Sequence, residues 1–334
     1  MKALVLAAGV GERMRPLTDE LPKPLLPIAN RPVMGYILEH LARHGFTEVV
    51  ANLYYRGEDI AAHFQDGAAH GVELRYSWED RLYGSAGGTK RCQDFLGDDT
   101  FLVIGSDDLT DMDLTALLRL HREAGAIASI GLVEVEETSQ FGIVVTEEDG
   151  RIKQFVEKPK GYSPSKTANT QIYLFEPEIL DLIPPDQVWD YGFNVFPELV
   201  SSGAPFYGFS LPGYWRDIGS VADYLVGQSD VLEQLVQTRV EGTQTRPGVW
   251  IGEGAEISPQ AEISGPAMIG RSCRVEAGAR VGGGTSAADG VVVPAGTCLW
   301  NTVVWSGARV LGGEEIRDCV ITPQRRVSLH PTAG

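Results

Sequence analysis

The chain is short of cysteine, histidine and positive charge. Its four cysteines, Cys92, Cys273, Cys298 and Cys319, match neither a paired framework nor a metal knuckle, so reduced thiols and a cytoplasmic setting are expected. The six histidines are scattered and nothing resembles a zinc site. Lysine and arginine number 28 against 45 acids, a formal net charge of −17. That balance argues against a general nucleic-acid surface or an acidic-membrane surface. No apolar run approaches the length of a membrane span, and the first residues run straight into an expected strand with no signal-peptide layout. What is present is ordinary for a folded chain, 43% hydrophobic and 22% charged. The length of 334 residues suggests two domains.

Two phosphate-binding signatures are also missing. The opening block runs Leu6-Ala7-Ala8-Gly9-Val10-Gly11-Glu12-Arg13-Met14-Arg15-Pro16-Leu17-Thr18, followed by Lys23-Pro24 and Pro27. A dinucleotide fingerprint needs a third glycine where Met14 stands, and a P-loop needs a closing Gly-Lys-Ser/Thr that is absent. The block still places small backbone, two arginines and a lysine at the end of a first strand. Gly9 and Gly11 let the backbone approach a ligand, and successive N–H groups there form an anion-binding concavity. An acidic chain that handles anions must concentrate its few cations in this way and recruit a divalent metal.

Residues 1 to about 135 alternate strand and helix. Short apolar strands are expected at 3–6, 48–53, 73–77, 101–104 and 128–133, with a helix at 32–44 that has Met34, Ile37, Leu38 and Leu41 on one face. This alternation predicts a mostly parallel Rossmann-like mixed α/β sheet with helices on both faces and ligands at the carboxyl ends of the strands. A hairpin is expected over 142–146 and 151–156, further strands at 171–175 and 206–210, and a helix from Ser220 to about Gln237 capped by Ser220 with Asp223. From Gly248 the pattern changes. Ile251, Ile257, Ile263, Ile269, Val275 and Val281 recur every six residues, with glycine following at 252, 270 and 282. A six-residue period marks a hexapeptide solenoid, a parallel β-helix. The spacing slips over 282–290 and recovers at Val304, Val310 and Ile316. Acyl transfer, which similar solenoids perform with a histidine, is disfavoured because only His330 lies beyond residue 121.

Two strand ends carry acids. Val103-Ile104-Gly105-Ser106-Asp107-Asp108-Leu109 ends an apolar strand in carboxylates, oxygen ligands of the kind that hold Mg²⁺ together with substrate phosphates. In Tyr214-Trp215-Arg216-Asp217-Ile218-Gly219, Ser220 is the better helix cap and Asp217 is left for other work. Phe155-Val156-Glu157-Lys158-Pro159 ends another strand in adjacent opposite charges.

These segments together resemble the sugar-1-phosphate nucleotidyltransferases, whose signature is L-A-A-G-x-G-x-R-x-x-P-L-T and then K-P. The resemblance implies that Leu6, Ala8, Gly9 and Gly11 hold the nucleoside triphosphate while Arg13 and Lys23 contact its phosphates. Asp107 and Asp217 would share Mg²⁺. Glu157 would accept sugar hydroxyls, Lys158 would contact the sugar phosphate, Gly142 would let the sugar approach, and Asn169 would line its site. Tyr83-Gly84-Ser85-Ala86-Gly87 resembles the stretch against the base, with Gly84 and Ser85 among the nucleotide-binding residues and Glu79 at the base-reading position. A carboxylate only accepts, and guanine offers adjacent N1–H and N2–H donors.

The layout is similar to that of the mannose-1-phosphate guanylyltransferases. It implies a catalytic domain over 1–225, a helical linker over 226–247 and a left-handed β-helix over 248–325 that mediates homo-oligomer formation. GTP and mannose 1-phosphate are the expected substrates, with no nucleic-acid or membrane partner. Thymidylyl, uridylyl or cytidylyl transfer to a glucose phosphate is the alternative within the class. A non-catalytic regulatory subunit that binds nucleotide sugar is the alternative outside it. Gln171, Phe193 and Asn194 depart from the family pattern around the sugar.

Overall fold

Apolar residues run unbroken through the first strands because both faces of the sheet they form are covered. In the computed structural model, which describes residues 1–329, Leu4, Val5, Val49, Val103 and Ile104 are all buried. The chain clusters into two units, one of Met1–Val10 with Met34–Trp215, the other of Gly11–Val33 with the chain from Arg216 onward.

The first unit is built on a mixed sheet. Its strands lie in the order Ile152–Glu157, Gly142–Thr146, Thr167–Phe175, Phe101–Gly105, Lys2–Leu6, Glu48–Leu53, Glu73–Trp78, while Ala128–Glu134 pairs with Thr167–Phe175 and with Phe206–Ser210. The last four strands of that order are mutually parallel, and Thr167–Phe175 runs antiparallel to Phe101–Gly105. The chain moves outward from Lys2–Leu6 in one direction and returns to its other side with Phe101–Gly105, so the strand order reverses between these two. An open α/β sheet presents its ligand crevice at such a reversal, beyond the carboxyl ends of the strands. The loops after Leu6 and after Gly105 therefore flank that crevice. The expected helix forms as Val33–Arg43, with Met34, Ile37, Leu38 and Leu41 all buried.

The second unit holds the β-helix. Ile251 pairs with Ile269 and Ile269 with Ala287, Ile257 with Val275 and Val275 with Val293, Ile263 with Val281 and Val281 with Leu299. Each pairing is parallel and joins residues three hexapeptides apart, so every coil has three faces. Each coil buries the aliphatic row of its neighbour. The spacing does not slip over 282–290 as the sequence pattern suggested: Ala287 sits in the row, six residues after Val281. The lost residue lies at Asn301, where a left-handed corner (φ 48°) turns inside the strand Cys298–Val304, and Asp318 (φ 50°) repeats it one coil later. Asn301 Nδ2 donates to Asp318 Oδ1 at 2.6 Å, so the two corners are bonded to each other.

The helix Val221–Leu232 is capped by Ser220, whose Oγ accepts from the Asp223 N–H at 3.1 Å. Together with the strand Thr243–Arg246 it falls within the second unit rather than in a separate linker. The segment Gly11–Val33 belongs to this unit because buried polar side chains hold it there. Gln228 donates to Pro27 O at 2.7 Å and accepts from the Ala29 N–H at 2.7 Å. Tyr224 also donates to Pro27 O, at 2.6 Å, and Asn30 donates to Ala287 O at 2.9 Å. Among the described residues no helix is long and apolar enough to cross a membrane.

Candidate active site

In the first unit the end of the first strand is fixed by a relay of hydrogen bonds. The Ala7 N–H donates to Asn52 Oδ1 at 2.8 Å, and Asn52 Nδ2 donates to Glu79 Oε1 at 2.7 Å. Glu79 Oε2 accepts from the Tyr83 N–H at 3.4 Å. Three parallel strand ends are thereby tied to one another just where the glycine loop begins. Burial pushes the Glu79 carboxyl up from its ordinary value, opposed by the bonds from Asn52 and Tyr83. Gly88 makes the relay possible: a Cβ there would lie 2.6 Å from Asn52 Nδ2 and 2.7 Å from Glu79 Oε1. The sequence singled out Glu79 but neither Asn52 nor Gly88.

Leu6 ends the strand half-buried and Ala8 is buried. Gly9 differs from Gly11, the other glycine of the loop, in that a Cβ built on it meets nothing within 4 Å and its φ is not in the left-handed region. At the other side of the strand reversal, Gly105 leads into Ser106 and Asp107, and the Ser106 N–H donates to Leu6 O at 3.2 Å. Asp107 is half-buried and Asp108 fully buried.

Gly84 opens the helix Gly84–Arg91 with φ +74° and no room for a Cβ beside Trp189 O. The N–H groups of Ala86 and Gly87 donate to Trp189 O, each at 2.9 Å, and the Ser85 N–H donates to Asp190 Oδ1 at 3.0 Å. These donors are spent inside the protein. The Ser85 hydroxyl donates to Asp190 Oδ1 at 3.1 Å and accepts from the Tyr191 N–H at 3.0 Å, so Ser85 holds the segment that follows.

That segment, a π-helical turn over Tyr191–Val195, carries the next part of the site. Glu157 packs against Gly192, where a Cβ would overlap its carboxylate, and against Gly142, where a Cβ would lie 2.8 Å from Glu157 Oε2. Burial raises the Glu157 carboxyl above its usual range, opposed by Lys158, whose Nζ lies 3.7 Å from Glu157 Oε1. Lys158 itself is exposed. Asn169 is buried: its Nδ2 donates to the Tyr173 hydroxyl at 2.9 Å and its Oδ1 accepts from the Gln171 N–H at 2.9 Å. Gln171 has φ +60° where the pairing of Thr167–Phe175 with Ala128–Glu134 shifts register. Phe193 is exposed, and Asn194 accepts from the Asp190 N–H at 2.9 Å. Asp190 and Gly192 had no signal in the sequence.

The second unit brings three of the expected residues together. Lys23 Nζ lies 3.4 Å from Asp217 Oδ1 and Arg13 Nη2 lies 3.3 Å from Asp217 Oδ2. The Asp217 side chain is 8% exposed and Lys23 13%, whereas the Arg13 side chain is 56% exposed. Gly219 allows this approach, since a Cβ on it would lie 2.5 Å from Asp217 Oδ2 and 2.8 Å from Arg13 Nη1. Gly11, at φ +69°, turns the loop under Thr18, whose hydroxyl donates to Gly11 O at 3.0 Å. Among the described residues no three His, Cys, Asp or Glu side chains gather as a metal cluster. Asp107 in the first unit and Asp217 in the second each offer hard carboxylate oxygens. Such an oxygen suits an ion like Mg²⁺, which takes one or two carboxylates and draws its other ligands from phosphate and water.

An open sheet with a reversed strand order, a glycine loop at the reversal and cations gathered on a carboxylate is the arrangement of an α/β protein that handles phosphorylated ligands. The model of the nucleotidyl transferase family matches residues 2–234, and the chain belongs to that family. It is 44% identical over 267 residues to the UTP–glucose-1-phosphate uridylyltransferase of Synechocystis, covering 75% of this chain and 69% of the relative. It is 34% identical over 278 residues to the mannose-1-phosphate guanylyltransferase of Mycobacterium tuberculosis, covering 77% of this chain and 76% of the relative. In fold it is similar to a putative glucose-1-phosphate thymidylyltransferase from Bacillus anthracis, with a TM-score of 0.63, 24% identity and coverage of 68% of this chain and 94% of that one.

Proposed function

We propose that the chain transfers a nucleotidyl group from a nucleoside triphosphate to a sugar 1-phosphate and releases pyrophosphate. The observation that supports this reading best is Gly9. It stands at the strand reversal with open space where a side chain would be, in a loop whose start is anchored through Asn52 and Glu79. A sequence that keeps glycine where neither backbone angle nor crowding demands it leaves that space for a ligand.

In the proposed reaction an oxygen of the sugar phosphate attacks the α-phosphorus, and the bond to the β-phosphate's bridging oxygen breaks. The attacking phosphate is already ionised near neutral pH, so no protein base is needed. Catalysis is then alignment and charge neutralisation. Lys23 and Arg13 bind the triphosphate and stabilise the departing pyrophosphate. Lys158 binds the attacking phosphate. Glu157, ionised above its raised pKa, accepts the sugar hydroxyls, and Gly142 and Gly192 leave room for its carboxylate rather than for the ring itself. Mg²⁺, with Asp107 and Asp217 as its proposed ligands, would neutralise phosphate oxygens when bound.

The choice of base changes with the geometry. Guanine was expected because Glu79 offers an acceptor, yet Glu79 is only 8% exposed and its two oxygens accept from Asn52 and from the Tyr83 N–H. Uridylyl transfer to glucose 1-phosphate, the activity named for the 44% identical relative, is accordingly the first reading. Guanylyl transfer to mannose 1-phosphate, named for relatives at 34–36% identity, is the second. Pyrophosphate release measured across the four NTPs with glucose and mannose 1-phosphate tests both. A chain that turns over no pair yet binds nucleotide sugar would overturn the enzymatic reading in favour of a regulatory subunit.

A further inference from the structure

The outer face of the β-helix carries a cleft that the proposed reaction leaves unused. It has a volume of about 570 Å³ and is lined chiefly by Arg246, Glu262, Ser264, Arg280, Trp300 and Arg317. That volume lies in the range of small-molecule sites. Its walls follow from the coil register. Glu262, Arg280, the buried Cys298 and Glu315 stack in one column, and Gly282, Trp300 and Arg317 stack in the next.

Three features set this face apart. First, Trp300 is 41% exposed on a structural β-helix, with its indole lying across Gly283, where a Cβ would overlap the ring, and beside Gly282, where a Cβ would overlap the Ser264 hydroxyl and lie 3.0 Å from the ring. Glycine at 283 makes room for the ring on this face. Second, arginines gather here in a chain of net charge −17. Among the described residues Arg280 makes no ion pair, and Arg246 spends one nitrogen on Ile263 O at 2.8 Å. Arg317 is held by Glu315 at 2.6 Å and stands 5.8 Å from the centre of the Trp300 ring. Counting Glu262 and Glu315 against the three arginines still leaves the cleft positive. Third, guanidinium forks match phosphate geometry, and an exposed indole offers a stacking face to any base.

We propose that this cleft is a second nucleotide site, taking a nucleoside diphosphate unit, free or as part of a nucleotide sugar. The base lies against Trp300 and the phosphates against Arg280 and Arg246. The site is separate from Arg13, Lys23 and Asp217, and it stands whether or not the proposed reaction is correct.

Calorimetric titration of the full chain with ADP, UDP, UDP-glucose and inorganic pyrophosphate tests it. Two nucleotide equivalents per chain are expected. Arg280→Glu, an exposed change that leaves the core untouched, should abolish one of them. Trp300→Ala should weaken the same one on the order of 10- to 100-fold, with Trp300→Phe recovering part of the loss. The remaining equivalent and the initial rate at low substrate should stay at the wild-type level in all three variants. Binding of UDP but not UDP-glucose at the second site would identify a free nucleotide as its occupant, and the reverse a nucleotide sugar. A single equivalent that Arg280→Glu leaves in place, two equivalents undisturbed by Arg280→Glu, or pyrophosphate binding as tightly as UDP at this site would each overturn the proposal, whereas a single equivalent that Arg280→Glu abolishes would support it and count against the proposed reaction.

Discussion

Replacing Asn52 by Asp tests whether the relay at the first strand end is a hydrogen-bonded network or a coincidence of packing. The Ala7 N–H keeps an acceptor, but the donor to Glu79 becomes a second carboxylate at 2.7 Å. Two ionised acids at that separation repel by about 6 kcal/mol at an effective dielectric of 20. The pair avoids this by keeping one proton. Holding a carboxyl of ordinary pKa 4.5 protonated at pH 7.5 costs about 4 kcal/mol, so the smaller figure sets the loss. The sign follows from linkage. A carboxyl whose folded pKa lies above its unfolded value contributes stability that is complete below the unfolded pKa and disappears as pH rises through the folded one. Wild-type Glu79 already has this sign, and Asn52→Asp enlarges it. The deficit against wild type in urea unfolding should therefore shrink by roughly 1.4 kcal/mol per pH unit on going from pH 7.5 to 5. Asn52→Ala orphans the Ala7 N–H and a Glu79 oxygen instead, at a cost of about 2–4 kcal/mol; it also removes a bond that holds the Glu79 carboxyl down, so its deficit shrinks on acidification too, without the added charge repulsion. A deficit for Asn52→Asp that stays constant from pH 5 to 8, or grows on acidification, would refute the reasoning.

The other expectations concern single residues of the candidate site. Lys23→Ala and Asp107→Asn should each lower kcat on the order of 10²–10³-fold, read as pyrophosphate release; near-normal turnover would remove the role given to that residue. Gly9→Ala places a methyl group in open space, so its unfolding free energy should lie within about 0.5 kcal/mol of wild type while kcat/KM for the nucleotide falls. Gly11→Ala, at φ +69° and 2.9 Å from Thr18 Cγ2, should instead lose stability by about 1 kcal/mol or more, and equal stabilities for the two variants would contradict this contrast. Gly192→Ala displaces Glu157 and should raise KM for the sugar phosphate while leaving KM for the nucleotide unchanged; a change confined to the nucleotide would place Glu157 on the wrong substrate.

The sequence revealed those parts of the architecture that rest on periodicity. Alternating strands and helices, the hairpin at Gly142–Thr146, the Ser220 cap and the six-residue solenoid all arise from a repeated local cause, namely which face must be buried. Where periodicity used an unexpected residue it misled. Ala287 occupies a core row but is too small to register as an aliphatic repeat, so a slip was read over 282–290 that belongs to the left-handed corner at Asn301. The division of the chain was hidden for a different reason. Nothing local in Gly11–Val33 says that Gln228, Tyr224 and Ala287, some two hundred residues or more away in sequence, satisfy its backbone and side-chain groups.

The candidate site divides along the same line. Groups proposed to meet ligands directly, Arg13, Lys23, Asp107, Glu157 and Lys158, are charged and sit at strand or loop ends, so chemistry alone makes them visible. Groups that hold them are neutral and unremarkable in type. Asn52 ends a strand like any polar residue, Asp190 precedes a turn, and Gly88, Gly192 and Gly219 matter only through the atom they omit. Their role follows from contact distance, which no one-dimensional pattern carries. A hydrogen bond withheld from Glu79 or a methyl group pressed on Glu157 changes the site without touching any residue that the chemistry names. Such positions are where substitutions between related enzymes can retune the pocket while every catalytic charge stays in place.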